Sequence, residues 1–430
     1  MPGAGERRSL LRSKRDTSFV LCDGATDSNA CGLIQSSSST VLEPMPPSGT
    51  SRVTRSSLRA AATEALEMIS GRDCAALDIG CSDGTLLSYY PRWVERFGVD
   101  TDPIVDSVGD WAWTACSEFP SPEVDRALGK KKFDIISAIS VLEKVDEPKA
   151  FLAKAKSLLS PDGILVIEVL YAPMMLTRLG VGEIANGSTA FYSLGVLERL
   201  LRDCDMKIFR GGVTEKSGGS IRIFATHSTV DDYDFDPWFE RLAQLWDEEN
   251  ALSLRTLQPY HVFEARAEAA REQFEDLMAA NLRSGASIHI LGADRSAELI
   301  YAWAGKGQAA IEAVIGFPGA DERKRIGSNG PPIVSEAEAR EAEPDALIVP
   351  LAMKREALEV WREQVMRGMK LIIMEALPTV VTAYNYDVEL SKSLNEPNAA
   401  GDTKTLRSIL SAAGGLRLVS DRSGDMKEAG

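Results

Sequence analysis

The sequence predicts an α/β protein built from two successive parallel sheets. Short apolar runs of strand length recur from residue 75 onward, and amphipathic helical stretches separate them. The rhythm stops near residue 230 and resumes near 285, which points to two separate α/β units. A chain of 430 residues is also too long for a single core and fits two or three domains of ordinary size.

Taken in order, residues 1–50 are rich in Ser, Pro and Gly, with SSSST at 36–40 and PMPPSG at 44–49. They carry little periodic apolar pattern and are expected to be poorly ordered. A helical pattern runs from Leu58 to Ile69, followed by the strand-length runs 75–80, 96–100, 133–139 and 163–170. Helical stretches such as 149–159 lie between some of them, the arrangement of a parallel sheet covered by helices. These elements define a first domain at 52–230. A polar, Glu- and Arg-rich helical connector is expected at 231–283. The second α/β domain, 284–385, holds apolar runs at 287–293, 309–317, 345–351 and 370–376, and residues 386–430 read as an accessory tail.

Composition narrows the function classes. Lys and Arg number 48 against 63 Asp and Glu, a formal charge of −15. That balance argues against a nucleic-acid grip, which depends on clustered cations. No apolar run approaches the ~20 residues that cross a bilayer, and the basic start MPGAGERRSLLRSKRD leads into no apolar segment. A cytoplasmic protein acting on a small molecule, with reduced cysteines, is the expectation.

The run LDIGCSDGTLL (77–87) follows a strand and leads into a helix. Gly80 and Gly84 suit a sharp turn at which the backbone approaches a ligand. Asp78 and Asp83 put carboxylates beside the turn, which favours a ligand with a cationic amino group over one with a pyrophosphate. About 20 residues on, GVDTDP (98–103) ends the next strand with Asp100, placed to accept hydrogen bonds from ribose hydroxyls.

In order, the turn, the acid, FDIISAISVLEKVDEP (133–148) and LLSPDGILVIEV (158–169) resemble class I S-adenosylmethionine-dependent methyltransferases. The resemblance implies a Rossmann-like methyltransferase domain with S-adenosyl-L-methionine as cofactor. Asp78, Gly80, Cys81, Asp83 and Gly84 would then line the methionine side, Asp100 would meet the ribose, and Ser140 and Leu142 would lie near the adenine or sulfonium. Asp110 and Trp111 stand where such proteins often carry an adenine-contacting loop. Further stretches, 192–209, 218–227, 285–300, 331–339 and 344–351, are similar to the sugar C-methyltransferase family. That family adds a second, smaller Rossmann-like α/β domain and methylates a carbon of nucleotide-linked deoxyketosugars.

Two departures qualify the resemblance. The family holds structural zinc through two Cys-x-x-Cys pairs, whereas Ser28 stands at one cysteine position and Cys22 and Cys31 are nine residues apart. Two thiols do not make a tetrahedral zinc site, so no metal is expected. The family also carries a Tyr-His-Glu-His run that deprotonates carbon; aligned through Phe191-Tyr192-Ser193, this chain has Ala185, Asn186, Gly187 and Ser188, and Lys144 replaces a further histidine. None of the four can act as a base near neutral pH.

Substitute bases are few. Of the three histidines, His289 and His261 read as structural or surface residues, leaving His227 and Tyr192 as catalytic candidates, with Tyr171 behind them. Glu168, at the end of a strand, reads equally as acceptor-facing or as fold support. Three readings follow: a methyltransferase whose nucleophilic acceptor, a nucleotide-sugar or secondary metabolite, needs no strong base; a sugar C-methyltransferase with a relocated base; and a catalytically silent ligand-binding relative.

Overall fold

The computed structural model describes residues 8–12, 16–22, 31–36, 47–69, 73–180, 182, 188–233, 235–317, 325–327, 329–375 and 377–394. Positions 185–187, Ser28 and the tail beyond 394 lie outside the described residues.

The central sheet has seven strands. They are β4 (Cys74–Ile79), β5 (Val94–Asp100), β6 (Trp113–Cys116), β7 (Phe133–Ile139), β8 (Leu159–Leu170), β10 (Met206–Thr214) and β11 (Ser220–His227), with spatial order β10-β11-β8-β7-β4-β5-β6. The pairs from β6 to β8 are parallel, and β11 is antiparallel to both of its neighbours. Every residue of β4 is buried, as expected of a strand covered by helices on both faces. Leu77 and Ile79 face one apolar layer, Cys74 and Ala76 the other.

Strand order reverses beside β4, whose neighbours are β5 on one side and β7 on the other. Chains leaving β4 and β7 at that point diverge to opposite faces, and the crevice between their carboxyl ends is where open α/β sheets bind ligands. Gly80 and Ser140 stand on its two lips.

The second sheet holds β12 (Ile288–Leu291), β13 (Ile311–Ile315), β14 (Ile333–Val334), β15 (Ala346–Pro350), β16 (Lys370–Met374) and β17 (Thr379–Val381). Its order is β14-β13-β12-β15-β16-β17, parallel apart from the β17 edge. Ile348 and Val349 alternate between the apolar layers on its two faces.

Between the sheets the polar stretch forms two helices, Asp236–Leu252 and Gln258–Ser284, broken where Ser253 adopts a left-handed conformation. In the first fifty residues, β1 (Arg8–Arg12), β2 (Asp16–Leu21) and β3 (Ile34–Ser36) join β9 (Ala190–Phe191) in a small antiparallel sheet. Their shortness and lack of alternation explain why the sequence pattern did not reveal them.

Candidate functional site

The site is built on the turn that follows β4. Gly80 has φ +79, and a Cβ there would overlap the Val141 side chain across the crevice. Its N–H donates to Val99 O at 2.7 Å. Gly84, φ +75, opens the short helix Thr85–Ser88, and a Cβ on it would press on Val108 and Trp111. Between them Ser82 holds φ +49, a conformation that costs an L-residue about 1–2 kcal/mol. Its N–H donates to Asp100 Oδ2 at 2.7 Å, so the strand-end acid holds the turn in this shape.

Asp100 Oδ1 accepts from Asp102 N at 2.9 Å. Each Asp100 oxygen therefore has one backbone donor and keeps a second lone pair for a hydroxyl. Asp78 is 3% exposed and accepts from Ser137 Oγ at 2.6 Å. Burial pushes its carboxyl up to about 7, against the opposing pull of the Ser137 hydrogen bond, and the nearby Asp100 charge adds to the rise. A carboxylate in that state gains most from a cationic partner. Trp111, half exposed, lies against the turn beneath the Arg96 guanidinium.

Three expected cofactor residues are placed differently. Asp83 ties the segment 48–50 down: Oδ2 accepts from Gly49 N at 2.9 Å and Oδ1 from Thr85 Oγ1 at 2.6 Å. Both of its oxygens therefore serve the fold. Leu142 is fully buried in the core and offers the crevice no side-chain surface. Cys81 is 2% exposed, and burial pushes its thiol up, making it an inert packing residue. Asp78, Gly80, Gly84, Asp100 and Ser140 remain around the crevice.

Neither catalytic candidate is in position. His227 ends β11, whose Ser220 pairs with Leu170 and whose Ala225 pairs with Leu165. Because β11 runs against β8, its last residue reaches the amino-terminal edge of the parallel strands, where His227 Nε2 lies 3.2 Å from Ser160 O. The crevice is at the opposite edge. Tyr192 has no exposed surface, its hydroxyl donates to Leu142 O at 3.1 Å, and burial raises its phenol further from ionisation. It serves as a packing post. Tyr171 is likewise fully buried with its phenol raised. His289 is buried in β12 and burial lowers its imidazole, while His261 lies on an exposed face beside Glu264.

Glu168 proves to be fold support. It has no exposed surface, and Arg222 Nε donates to its Oε2 at 2.7 Å while Thr214 Oγ1 and Ser57 Oγ donate to Oε1 at 2.8 and 3.1 Å. Burial alone would raise this carboxyl, but Arg222 and Lys216 hold it below the ordinary range. Arg222 also reaches Glu64 Oε1 (3.1 Å) and Ser57 O (2.8 Å). The network locks the helix Arg52–Met68 onto the sheet.

Sequence reasoning missed Ser82, Ser137, Glu143 and Lys216. Lys216 sits on the turn between β10 and β11 and donates to Ser140 Oγ. Glu143 follows Ser140 by three residues and is 2% exposed. No motif links positions 140, 143 and 216, so only their meeting in space reveals them. At the same end of the molecule the two α/β units touch: Ser51 Oγ donates to Glu356 Oε2 (3.2 Å), and Arg355 pairs with Glu215 (3.0 Å). A cavity of about 30 Å³ lies between them, walled by Leu179, Gly180 and Gly218 on one side and by Trp303, Leu351 and Met374 on the other. It has room for about one water.

Comparison with known proteins agrees with this architecture. Residues 54–209 match the family described as a methyltransferase domain, and residues 215–377 match the C-methyltransferase C-terminal domain. The chain is similar to C-methyltransferase NovU of Streptomyces niveus, 24% identical over 228 residues, which are 53% of this chain and 53% of that protein. It is also similar to a ubiquinone biosynthesis O-methyltransferase of Actinobacillus pleuropneumoniae serotype 5b (strain L20), 27% identical over 31% of this chain and 64% of that protein. The matches thus span about half to two thirds of these relatives' lengths. Among solved structures, magnesium protoporphyrin IX methyltransferase (ChlM) from Synechocystis PCC 6803 with bound SAH aligns over 43% of this chain and 90% of its own, at 16% identity and a TM-score of 0.34.

Proposed function

We propose that this chain, a methyltransferase domain followed by a C-methyltransferase C-terminal domain, is an S-adenosyl-L-methionine-dependent methyltransferase acting on a small molecule. The observation that carries the reading is the crevice between β4 and β7. There a left-handed glycine turn, a buried carboxylate raised to about 7 and a strand-end acid with free lone pairs converge.

The residues fit the cofactor. Asp78 is a low-dielectric partner for its amino group, and Gly80 lets the backbone come close. Asp100 accepts from the ribose hydroxyls, and Trp111 offers an aromatic face on the adenine side. When bound, the cofactor supplies an electrophilic methyl carbon on a sulfonium. The chain's own part is to hold that carbon and the acceptor in register, to exclude water, and to remove a proton where the acceptor requires it.

The acceptor is a nucleotide-linked sugar or a related secondary metabolite. The match of residues 215–377 to a C-methyltransferase C-terminal domain supports this reading. Titration calorimetry with S-adenosylmethionine and S-adenosylhomocysteine is the first test, and binding of neither would sink the proposal. Mass spectrometry of turnover with amino-, hydroxy- and keto-sugar nucleotides then identifies the methylated atom.

A further inference from the structure

At the lip of the crevice opposite Gly80, Lys216 meets Ser140 and Glu143 from a distant part of the chain. Ser140 is held at φ +59, and its N–H donates to Glu168 O at 2.8 Å. Lys216, only 8% exposed, donates to the Ser140 hydroxyl. Glu143 is 2% exposed, and its Oε2 has no hydrogen-bond partner among the described residues. A buried lysine beside a buried, half-satisfied carboxyl is a costly arrangement for a fold to keep. It lies at the strand ends where this sheet type does its chemistry.

We infer that Lys216 is the general base of this protein: its amine, hydrogen-bonded to Ser140 at the crevice lip, takes the proton from the acceptor atom that is to be methylated. The inference rests on the proposed methyltransferase reading and adds to it a named base for an acceptor that gives up a proton from carbon.

Three features of the structure support it. Lys216 is on a turn with two neighbours: one end touches Ser140 beside the cofactor crevice, while Gly218, two residues on, forms part of the wall of the interdomain cavity. The turn that carries Lys216 thus borders both the crevice and the interdomain cavity. Secondly, the cluster is fixed from another part of the chain, since Thr189 N and Thr189 Oγ1 both donate to Glu143 O at 2.9 Å. Thirdly, the surroundings favour a neutral amine. Burial lowers Lys216, against the opposing charges of Glu168 on β8 and Glu143, and Lys144 and Arg222 lower it further. Burial likewise raises Glu143, despite the pull of Lys144 and Lys216. Both groups are thereby pushed toward their uncharged forms, and an uncharged amine has the lone pair that a base needs.

The step balances within the acceptor and the lysine. The C–H bond next to the ketone breaks heterolytically, its proton bonds to the Nζ lone pair, and the bonding electrons delocalise onto the ketone oxygen as an enolate. The charge of the ammonium so formed is favoured by the nearby Glu168 carboxylate.

The test follows proton abstraction directly, without methyl transfer. The full-length protein, saturated with S-adenosylhomocysteine, is incubated in D₂O with a nucleotide-linked deoxyketosugar, and deuterium wash-in is followed by mass spectrometry. The wild type should exchange the carbon-bound proton at a rate that rises with pH through an ionisation below that of an ordinary lysine. Lys216→Met should slow exchange at least about 100-fold, with S-adenosylhomocysteine affinity within about threefold of wild type. Lys216→Arg keeps the cation opposite Glu168 and Glu143 but stays protonated, so it should fold, bind and fail to exchange. Persistent exchange in Lys216→Arg assigns the lysine a purely structural charge and overturns the inference, as does a wild type that binds S-adenosylhomocysteine without exchanging. A wild type that does not bind S-adenosylhomocysteine refutes the cofactor reading instead.

Discussion

Asp78 couples the stability of the fold to pH and, on the proposed reading, to cofactor binding. An ordinary aspartate titrates at 3.8, and this one, buried at the end of β4, at about 7. The folded state therefore holds the proton more tightly than the unfolded chain does. Below pH 3.8 both states are protonated and the site contributes nothing. As pH rises toward 7, only the unfolded chain ionises, and folding loses stability over that interval. Above pH 7 the full penalty stands, about 4 kcal/mol at about 1.4 kcal/mol per tenfold difference in proton affinity. Of this, about 3 kcal/mol accrues between pH 5 and pH 8. Asp78→Asn keeps an acceptor for Ser137 Oγ and cannot ionise, so it removes this slope. Chemical denaturation of both proteins at pH 5, 6, 7 and 8 measures it, because other titrating groups cancel in the difference. Wild type should lose about 3 kcal/mol relative to the variant over that range. Parallel profiles would refute the assignment of a raised, buried carboxyl. Cofactor binding supplies the missing cation, so calorimetry at pH 6 in buffers of different ionisation enthalpy should also show proton release, absent in the variant.

Asp100→Ala removes the ribose acid and the anchor for Ser82 N–H. Cofactor affinity should fall at least tenfold, about 1.4 kcal/mol, and unchanged affinity in a folded variant would place the ribose elsewhere. Arg222→Met removes the cation that Glu168 and Glu64 share, leaving Glu64 only Arg210 at 3.3 Å, at about 3–5 kcal/mol of stability. A thermal shift equivalent to under 1 kcal/mol would contradict the network, and adding Glu168→Gln should recover part of the loss. Since Arg222 and Lys216 hold the folded Glu168 carboxyl low, its contribution is present above the ordinary carboxylate range and lost as pH falls through the folded value. Gly80→Ala puts a Cβ into Val141 at a positive φ and should cost about 1–3 kcal/mol. Partial rescue by Val141→Ala would separate the clash from the backbone strain.

Local pattern carried much of the fold. Strands β4, β5, β7 and β8 announce themselves as apolar runs, the glycine turn by its spacing, and Asp100 by its distance from that turn. Such features depend on neighbours a few residues apart. β6 escaped notice because WTAC is four residues long and only partly buried, too short for a periodicity to register. The break at Ser253 was hidden because a left-handed serine has no sequence signature comparable to glycine's.

What the sequence by itself determined was the succession of elements and the glycine turn after β4, because turn chemistry and periodicity are local. Only the tertiary structure decided which edge of the sheet each side chain occupies. His227 reads as the end of a strand beside the site, yet the reversal of β11 sends it to the far edge. Tyr192 reads as a candidate base, yet burial and its hydrogen bond to Leu142 O take it out of chemistry. Lys216 and Glu143 carry no sequence signal linking them to Ser140, yet the turn between β10 and β11 brings Lys216 onto Ser140 beside buried Glu143. Strand direction and long-range burial are properties of the assembled sheet, and they set both the placement of these groups and the charges they can carry.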